Sequence, residues 1–317
     1  MKLHQFRDIV AIAKHGSVRA AARHLNLAQP ALTRSLGALE RELGTPLFER
    51  GARGLLPTPI GHTFLRRAAT ILNEVRNAQD EAEQLRGGVG GQVVLGLSMA
   101  AHIAFLPELL RPFRQRYAAA RLQVIEATYP ALEAGLRDGS VDFYVGPVPE
   151  ERIPAALMQE LLFANTRAVL CRRGHPRAGA KSLRDLADAE WASTSLTLHA
   201  EDEFAELFGA HGMPPPRLLL RCQSAMTLMV ALANSDLLAL VPIQWSAFGP
   251  AASTLTCLDL RETLPAPDVV IIRRAGIPLT PAATFVMDLI GKQAAAIAAP
   301  PPPRRLYAVG ATRGSML

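Results

Sequence analysis

The chain has 317 residues, of which 49% are hydrophobic and 20% are charged, and its formal net charge is +6. This length and composition suit two or more domains with sizeable cores. The sequence contains no run of 18 uncharged apolar residues, so no membrane span is predicted. The three cysteines, Cys171, Cys222 and Cys257, are far apart and predict reduced thiols in a cytoplasm, not a disulfide framework or a zinc site.

The positive charge is concentrated near the N-terminus. Residues 1–60 hold nine Lys and Arg against four Asp and Glu, whereas residues 91–300 hold eighteen against twenty. Asp8 interrupts the apolar N-terminus, which also lacks the cleavage site of a signal peptide. This charge distribution favours contact between the N-terminal segment and nucleic-acid phosphates. A solvated basic face is the alternative.

Three helices are predicted first in chain order. Residues 3–14 form an amphipathic helix that Gly16 ends as a left-handed cap. Ser17 is suited to cap a second helix, and a third begins near Gln29 after a turn at residues 26–28. Two helices joined by a short turn are typical of a helix-turn-helix.

The third helix has one apolar and one polar face. Its leucines are spaced by four, three and four residues and are predicted to pack inward: Leu32, Leu36, Leu39 and Leu43. Glutamine can bond adenine and arginine can bond guanine in the major groove. We therefore predict base contacts from the outward residues Gln29, Pro30, Thr33 and Arg34. An ordinary helical hairpin with a solvated face is the alternative.

A glycine-rich stretch, LFERGARGL at residues 47–55, carries two arginines three residues apart. It predicts a small hairpin wing, in which Arg50 and Arg53 meet phosphates or the minor groove. Ser17 is predicted to contact the DNA backbone as well.

Residues 1–90 resemble the N-terminal domain of LysR-type transcriptional regulators. The departures from the family pattern are Thr33 for its usual Ser, Pro57 for Leu, Ile60 for Ala, and Gly37 inside the third helix. The resemblance implies a winged helix-turn-helix that binds promoter DNA as a homodimer or homotetramer, with RNA polymerase as a possible further partner. The matching positions are Phe6, Gly16, Ser17, Ala21, Ala22, Leu25, Gln29, Pro30, Ala31, Leu39, Glu40, Leu43, Gly44, Leu47, Phe48, Arg50, Arg53, Thr58 and Gly61.

One long helix is predicted from Gly61 to Arg86. Its apolar residues follow a seven-residue repeat, which is typical of a two-stranded coiled coil. A rod of roughly 39 Å results. The alternative is a helix packed on its own globular domain. The repeat consists of Phe64, Ala68, Ile71, Val75, Ala78, Ala82 and Leu85.

The glycines at residues 87–91 predict a flexible hinge, and strands then alternate with helices. Residues 92–297 predict an open α/β sheet in two units, with helices at 107–117, 131–137, 202–211, 225–233 and 281–297. This pattern resembles the two-lobed, periplasmic-binding-protein-like effector domain of the same family. Lobe I comprises about 92–163 and 269–297, and lobe II about 164–268, with crossovers near residues 163–165 and 265–268. The tail, residues 298–317, begins with consecutive prolines and is predicted to be disordered.

A small effector is predicted at the carboxyl ends of the strands, where ligands bind in open α/β sheets. Hydroxyls and free N–H groups there suit a small organic anion, either a carboxylate or a sulfonate. The alternative for the Ser and Thr residues is a plain helix cap. The candidate effector residues are Ser98, Met99, Ala100, Ala101, His102, Tyr129, Gly146, Thr194, Ser195, Ser224 and Pro242.

No enzyme motif, cofactor or metal site is predicted. The hypothesis is a cytoplasmic LysR-type regulator without a membrane partner. A solute-binding protein without DNA binding, or an enzyme on the same two-lobed fold, are the alternatives. Residues 128–130 and 136–143 also show a short likeness to the branch with regulators of aromatic-sulfonate breakdown and of sugar-binding-protein expression.

Overall fold

The computed structural model describes residues 1–51, 54–194 and 200–298. The N-terminal part consists of helices α1 (Leu3–His15), α2 (Val18–His24) and α3 (Gln29–Leu43), followed by strands β1 (Phe48–Gly51) and β2 (Gly54–Pro57). One hydrophobic cluster joins the three helices, and the side chains of Ile9, Ile12, Leu32, Leu39 and Leu47 are fully buried in it.

The predicted caps form. The Ser17 hydroxyl accepts a hydrogen bond from the backbone N–H of Ala20 (3.1 Å), and Gly16 ends α1 with φ +68°. Gly44 ends α3 in the same left-handed conformation. These caps set the short turns between the helices.

The hairpin β1–β2, which we call the wing, is attached at its base to two other elements. The Glu40 carboxylate on α3 accepts hydrogen bonds from the backbone N–H groups of Leu47 (2.7 Å) and Phe48 (3.3 Å). On the return strand, the Leu55 N–H donates to the carbonyl of Gly16 (2.9 Å). The wing therefore holds a defined position beside α3.

Helix α4 (Pro59–Leu85), which we call the linker helix, begins two residues before the predicted start because Thr58 caps it. At its first turn, a Cβ atom at Gly61 would lie 2.0 Å from the Leu47 carbonyl oxygen. The backbone of the linker helix thus lies directly on the base of the wing. Most of the predicted heptad face is open: Ile71 is 40% exposed and Leu85 72%, while Ala78 and Ala82 are also exposed.

The opposite face of the linker helix contacts the C-terminal domain of the same chain. The alternative of a helix packed on its own chain is therefore confirmed for this face, whereas the two-stranded coiled coil stays a prediction. The glycines after it form a hydrogen-bonded turn, in which Gly88 N–H donates to the Glu83 carbonyl (3.0 Å) and Gly90 accepts from Gln84 (2.9 Å). The segment predicted as a flexible hinge thus makes specific contacts with the helix end.

The C-terminal domain is built on one nine-stranded sheet, with strand order β4-β3-β5-β11-β6-β9-β7-β8 and β10 beside β6. Its first unit contains β3 (Gln92–Leu97), α5 (Met99–Arg116), β4 (Arg121–Glu126), α6 (Tyr129–Asp138) and β5 (Phe143–Pro147). The second contains β7 (Glu190–Ser193), α7 (Ala200–Gly209), β8 (Arg217–Arg221), α8 (Ala225–Ala233), β9 (Leu238–Pro242) and β10 (Leu255–Cys257). The helix α9 (Pro281–Ala298) returns to the first unit.

Two long antiparallel strands, β6 (Leu157–Arg172) and β11 (Leu264–Arg274), join the units. Separate hydrophobic clusters lie at their two ends, around Phe105 and Phe143 in the first unit and around Trp191 and Phe208 in the second. The apolar pattern of the sequence predicts strands only at residues 168–171 and 269–273 of this pair, because polar residues interrupt the pattern at the crossover. The spacing of Ser182 and Asp185 predicts a capped helix, and the structure has a 3₁₀ turn there, Leu183–Leu186.

Helix α5 begins at Met99, and the predicted start at Pro107 is wrong. Proline usually ends or begins a helix because it lacks an N–H and clashes with the preceding turn. Here Pro107 and Pro112 both lie inside the helix. The buried side chains of Ala101, Phe105, Leu109 and Phe113 pack into the first-unit core and compensate for the lost hydrogen bonds.

Asp142, just before β5, is a partly buried carboxyl group with a raised pKa. Its Oδ2 accepts a hydrogen bond from Val94 N–H (2.7 Å). Burial raises the pKa of Asp142 from 3.8 to about 6, although that backbone bond, Arg76 and Arg274 all oppose the change and Asp80 adds to it. The folded carboxyl therefore binds its proton more tightly than the unfolded one. Its contribution to stability is present below pH 4 and is lost as the pH rises through 6.

We expect Asp142→Asn to raise the free energy of unfolding by up to about 3 kcal/mol at pH 8, and by less at pH 5, because the amide oxygen can still accept from Val94. Urea unfolding at both pH values measures this. Asp188→Asn, at a carboxylate whose side chain is 90% exposed, is the control. Equal gains at pH 5 and pH 8 would contradict the assignment.

Candidate DNA-binding surface and effector cleft

The structure places the four predicted base-contacting residues on one exposed face of α3. Gln29, Pro30, Thr33 and Arg34 are all exposed. The opposite face is buried, since Leu32 and Leu39 are inaccessible to solvent and Leu36 is nearly so. The Thr33 hydroxyl donates to the Gln29 carbonyl (3.0 Å). A continuous polar surface of this kind can enter the major groove.

The other predicted DNA contacts lie beside this face or outside the described residues. Arg50 is exposed on β1 of the wing, and Arg53 lies outside the described residues. The Ser17 hydroxyl accepts a hydrogen bond as the cap of α2, so its structural use is established, whereas its contact with DNA stays a prediction.

One buried contact supports the exposed face of α3, which we call the reading face. This contact was not predicted from the sequence. The Asp8 carboxylate on α1, whose side chain is 3% exposed, accepts a short hydrogen bond from the Ser35 hydroxyl on α3 (2.6 Å). Its other oxygen accepts from Arg7 (2.9 Å). Charge-assisted bonds of this length are directional, so this one fixes the rotation of α3 about its axis. The available signal was an aspartate inside an apolar helix.

In the first unit, the segment predicted as an effector loop is the start of α5. Ser98 caps the helix by accepting from Ala101 N–H (3.3 Å), and His102 Nδ1 lies 3.0 Å from the Ser98 carbonyl. Ala100 and Ala101 are buried, and Met99 packs against the cluster around Trp245. The expectation of a loop at 98–102 is therefore corrected, because Ser98 starts the helix immediately after β3.

Tyr129 and Gly146 have different surroundings. Tyr129 is buried in the cluster on the α6 side, with its ring centroid 6.2 Å from that of Tyr144. Burial raises the pKa of Tyr129, with Glu133 adding to the effect. Gly146 leaves room for the Tyr144 ring, since a Cβ there would lie 2.1 Å from Tyr144 Oη and 2.7 Å from Ser98 Cβ. The structure thus brings Gly146 next to Ser98 and buries Tyr129 among apolar side chains.

In the second unit, the predicted effector residues are dispersed over three strand ends. Thr194 is half-buried after β7, and Ser195 lies outside the described residues. The exposed Ser224 caps α8 by accepting from Met226 N–H (3.2 Å). Pro242 is opposite Arg167 in the β6–β9 ladder. Effector contact by these residues stays a prediction.

The structure adds a group of three polar residues at the crossover, which we call the polar floor: Asn165, Arg167 and Gln244. Gln244 Nε2 donates to Asn165 Oδ1 (3.0 Å), and both residues are buried. The buried Gln244 Oε1 has no partner among the described residues. Asn165 and Arg167 point to the same face of β6 because side chains alternate along a strand.

Arg167 also ties the crossover to α7. Its guanidinium donates to the Pro265 carbonyl (2.7 Å) and pairs with Glu203. Burial lowers the pKa of Arg167, and Glu206 opposes the change. Sequence reasoning missed this floor, since Asn165 and Gln244 are 79 residues apart along the chain and no local motif joins them.

The described residues give little support to a metal site, a reactive cysteine or a membrane-spanning helix. No group of three or more His, Cys, Asp or Glu there could hold a metal ion. Burial raises the pKa of Cys171 to about 11, with Cys257 adding to it, so the thiol is protonated and a poor nucleophile. A cavity of about 540 Å³ lies along residues 149–159, between the end of β5 and the start of β6. None of the helices in the described ranges combines the length and apolarity that a membrane crossing requires.

An N-terminal helix-turn-helix with a wing, a long helix and two α/β units joined by crossing strands define a ligand-sensing DNA-binding protein. Two family models match the chain: "Bacterial regulatory helix-turn-helix protein, lysR family" over residues 3–62, and "LysR substrate binding domain" over residues 86–295. The chain therefore belongs to the LysR family of DNA-binding transcriptional regulators, and its larger part is the family's substrate-binding domain.

Individual relatives agree with this assignment. The chain is 31% identical over 294 residues to the SDS degradation transcriptional activation protein of Pseudomonas sp. (strain ATCC 19151), covering 91% of this chain and 95% of that protein. It is 30% identical over 239 residues to the regulator GbpR of Azospirillum brasilense, covering 74% and 70%. The crystal structure of full-length CbnR with its target DNA has the same fold, with a TM-score of 0.68 at 23% identity over 92% of this chain and 100% of that chain.

The comparisons confirm the predicted family, the fold class and the function of a transcriptional regulator. Since the family consists of regulators, they also agree with the prediction that this chain is not an enzyme.

Proposed function

We propose that this regulator reads its operator with the exposed face of α3 in the major groove and the wing beside it, under the control of a small organic anion. The observation that carries the DNA-binding part is the division of α3 into a buried leucine face and an exposed face with Gln29, Thr33 and Arg34. The excess of positive charge in residues 1–60 supports phosphate contacts by Arg50, Arg53 and Ser17.

We expect Gln29→Ala to weaken binding to the preferred duplex by roughly 1–3 kcal/mol and to relax the choice at one base pair, because a base-reading side chain is lost. Selection from random duplex DNA followed by titration measures both effects. Arg50→Gln is the matched control, since loss of a phosphate contact lowers the salt slope by about 1 and leaves base preference intact. Unchanged base preference in Gln29→Ala would refute the assignment.

We also propose that the open heptad face of the linker helix pairs two chains. Its exposed members include Ile71, Ala78, Ala82 and Leu85, and a helix of 27 residues spans about 40 Å, enough to hold two reading heads about one DNA turn apart. Exposed apolar side chains at Leu219, Met226 and Val230 on the second unit support a further contact that would complete a tetramer.

Ile71→Glu combined with Ala78→Glu places charge on the pairing face and is expected to shift the chain to a monomer at micromolar concentration, because the buried apolar seam is lost. Sedimentation equilibrium measures the shift. Gln79→Glu, at a neighbouring exposed position outside the heptad series, is expected to leave the oligomer intact. A dimer or tetramer that survives the double change would exclude this seam.

The division of the chain proposed with this function is residues 1–60 for DNA binding, 61–91 for pairing, and 92–297 for effector binding. Lobe I comprises about 92–163 and 269–297, and lobe II about 164–268. The hydrophobic clusters at the two ends of the crossing strands support the two lobes. Operation on chromosomal DNA supports a cytoplasmic location, and RNA polymerase remains a proposed partner.

The proposed effector lies between the lobes, near Ser98, Gly146 and the polar floor at Asn165, Arg167 and Gln244. The first turn of α5 offers N–H groups to an anion, and Arg167 supplies a buried positive charge close to the strand ends. One relative is named for SDS degradation, so organic sulfates join carboxylates and sulfonates as candidates.

A thermal-shift screen of small carboxylates, sulfonates and sulfates tests this proposal. A ligand at 100 times its dissociation constant should add about 2.7 kcal/mol to the free energy of unfolding. The same compound is expected to change the affinity for the selected duplex. If no compound in these classes both stabilises the chain and alters DNA binding, the effector part of the proposal fails while the DNA-binding part stands.

A further inference from the structure

The linker helix carries polar residues opposite and beside its heptad face, and these residues are docked on lobe I. Asn73 Nδ2 donates to the Asp138 carbonyl (2.9 Å), and Arg76 donates to the Gly139 carbonyl (3.4 Å). Between them, Glu74 forms an ion pair with Arg274, whose side chain is only 11% exposed. These three residues of the linker helix therefore contact the same corner of lobe I, formed by Asp138, Gly139 and Arg274.

The corner is shaped for the Arg274 guanidinium. Gly139 has φ +75°, and a Cβ atom there would lie 2.9 Å from Cζ and from both terminal nitrogens of Arg274. The guanidinium therefore lies flat against the backbone of Gly139 and points its charge at Glu74. This close approach is specific to a glycine in the left-handed conformation.

A second set of bonds holds the C-terminal end of the linker helix. The buried Gln84 accepts from Ala282 N–H in the first turn of α9 (2.9 Å) and donates to the Gly90 carbonyl (2.9 Å). Asp80 accepts from Gln92 N–H at the start of β3 (3.1 Å). Lobe I is thus attached to the linker helix at two separated points, and the heptad positions Ile71, Ala78, Ala82 and Leu85 are left exposed for a second chain.

The position of Arg274 in the sheet gives the ion pair its significance. Arg274 is the last residue of β11, the strand that begins in lobe II, where Leu264 is opposite Arg167, and ends in lobe I, where Arg274 is opposite Leu157. A change in the relative orientation of the lobes has to bend or slide β11 and its partner β6. Such a change reaches Arg274 along a single strand, whose pairing with β6 is irregular between Ala266 and Val270, at the crossover.

We propose that the Glu74–Arg274 ion pair, seated on Gly139, transmits the arrangement of the two lobes to the linker helix and thereby to the spacing of the DNA-reading heads. This inference rests on the proposed function, since it supplies the regulatory connection for the effector cleft. Arg274 and Glu74 are positioning residues here and touch neither DNA nor effector. The linker helix has two roles on two faces: pairing with a second chain and sensing its own lobe I.

A double-mutant cycle tests the connection without any effector, with the duplex selected from random DNA as the probe. Glu203→Gln weakens the Arg167–Glu203 pair, which lies within lobe II where β6 and β11 enter it, and so perturbs the lobe II ends of both crossing strands. Glu203 is 41% exposed, so the variant is expected to fold. Its effect on DNA affinity is measured in the parent chain and in the Glu74→Gln chain. Arg273→Gln is the matched control, because Arg273 neighbours Arg274 on β11 but pairs with Glu160 on β6.

We expect Glu203→Gln to change the dissociation constant for the duplex at least fivefold, the lower end of typical coupling between sites, in the parent and Arg273→Gln chains. In the Glu74→Gln chain the change should fall below twofold. The charge-swapped pair Glu74→Arg with Arg274→Glu should recover part of the response. Hydrogen exchange at residues 138–142 should rise in Glu74→Gln and not in Arg273→Gln, which shows that lobe I has left the linker helix.

If Glu203→Gln changes the dissociation constant by the same factor in the parent, Arg273→Gln and Glu74→Gln chains, the inference is overturned. It is also overturned if Glu203→Gln has no effect on the dissociation constant of the parent chain. Thermal midpoints of all variants separate a loss of coupling from a loss of folding, and Arg274→Gln replaces Glu74→Gln if that variant unfolds. A chain that selects no duplex at all refutes the proposed function instead, so the two failures are distinguishable.

Discussion

Burial of the leucine face of α3 against α1 and α2 is the constraint on which the DNA-binding half depends. Leu32 and Leu39 are inaccessible to solvent, and removing either from the core would cost a few kcal/mol in a domain of marginal stability. With those leucines fixed inside, Gln29 and Arg34 have to face outward. Hydrophobic packing alone allows some rotation about the helix axis, and the directional Asp8–Ser35 bond removes that freedom.

The second organising element is the linker helix, whose two faces have opposite chemistry. One face repeats apolar residues every seven positions and is largely open, while the other presents Asn73, Glu74, Arg76, Asp80 and Gln84 to lobe I. A helix of this kind can pair with a second chain and bind its own effector domain at once. Ion pairs and hydrogen bonds suit the second role, because partly buried polar contacts have defined geometry and modest net strength.

Local features of the sequence predicted local structure well. The caps at Gly16 and Ser17, the start of α3 and the length of the linker helix all follow from residue type and spacing within about one helical turn. Prediction failed where tertiary packing outweighs local preference, as at Pro107 inside α5. It also failed at the crossover, where polar residues hid the continuity of β6 and β11.

The candidate sites show the same division. The reading face of α3 was predictable because periodicity fixes both of its sides. The polar floor and the Glu74–Arg274 pair were not, since their members are separated by about 80 and 200 residues, and no pattern in one sequence brings such residues together. Tyr129 illustrates the converse: its place after a strand suggested a ligand contact, yet its ring is enclosed by apolar neighbours.

The close contact between Gly61 and the carbonyl of Leu47 has a consequence for how any signal can act. With no space for even a methyl group at that contact, and with Glu40 bonded across the base of the wing, rotation of the DNA-binding domain about the linker helix would break this packing. We therefore expect the DNA-binding domain and the linker helix to move as one rigid body. Control of transcription would then come from the positions of the two DNA-binding domains of a dimer along the duplex, while the contacts of each domain with its own base pairs stay the same.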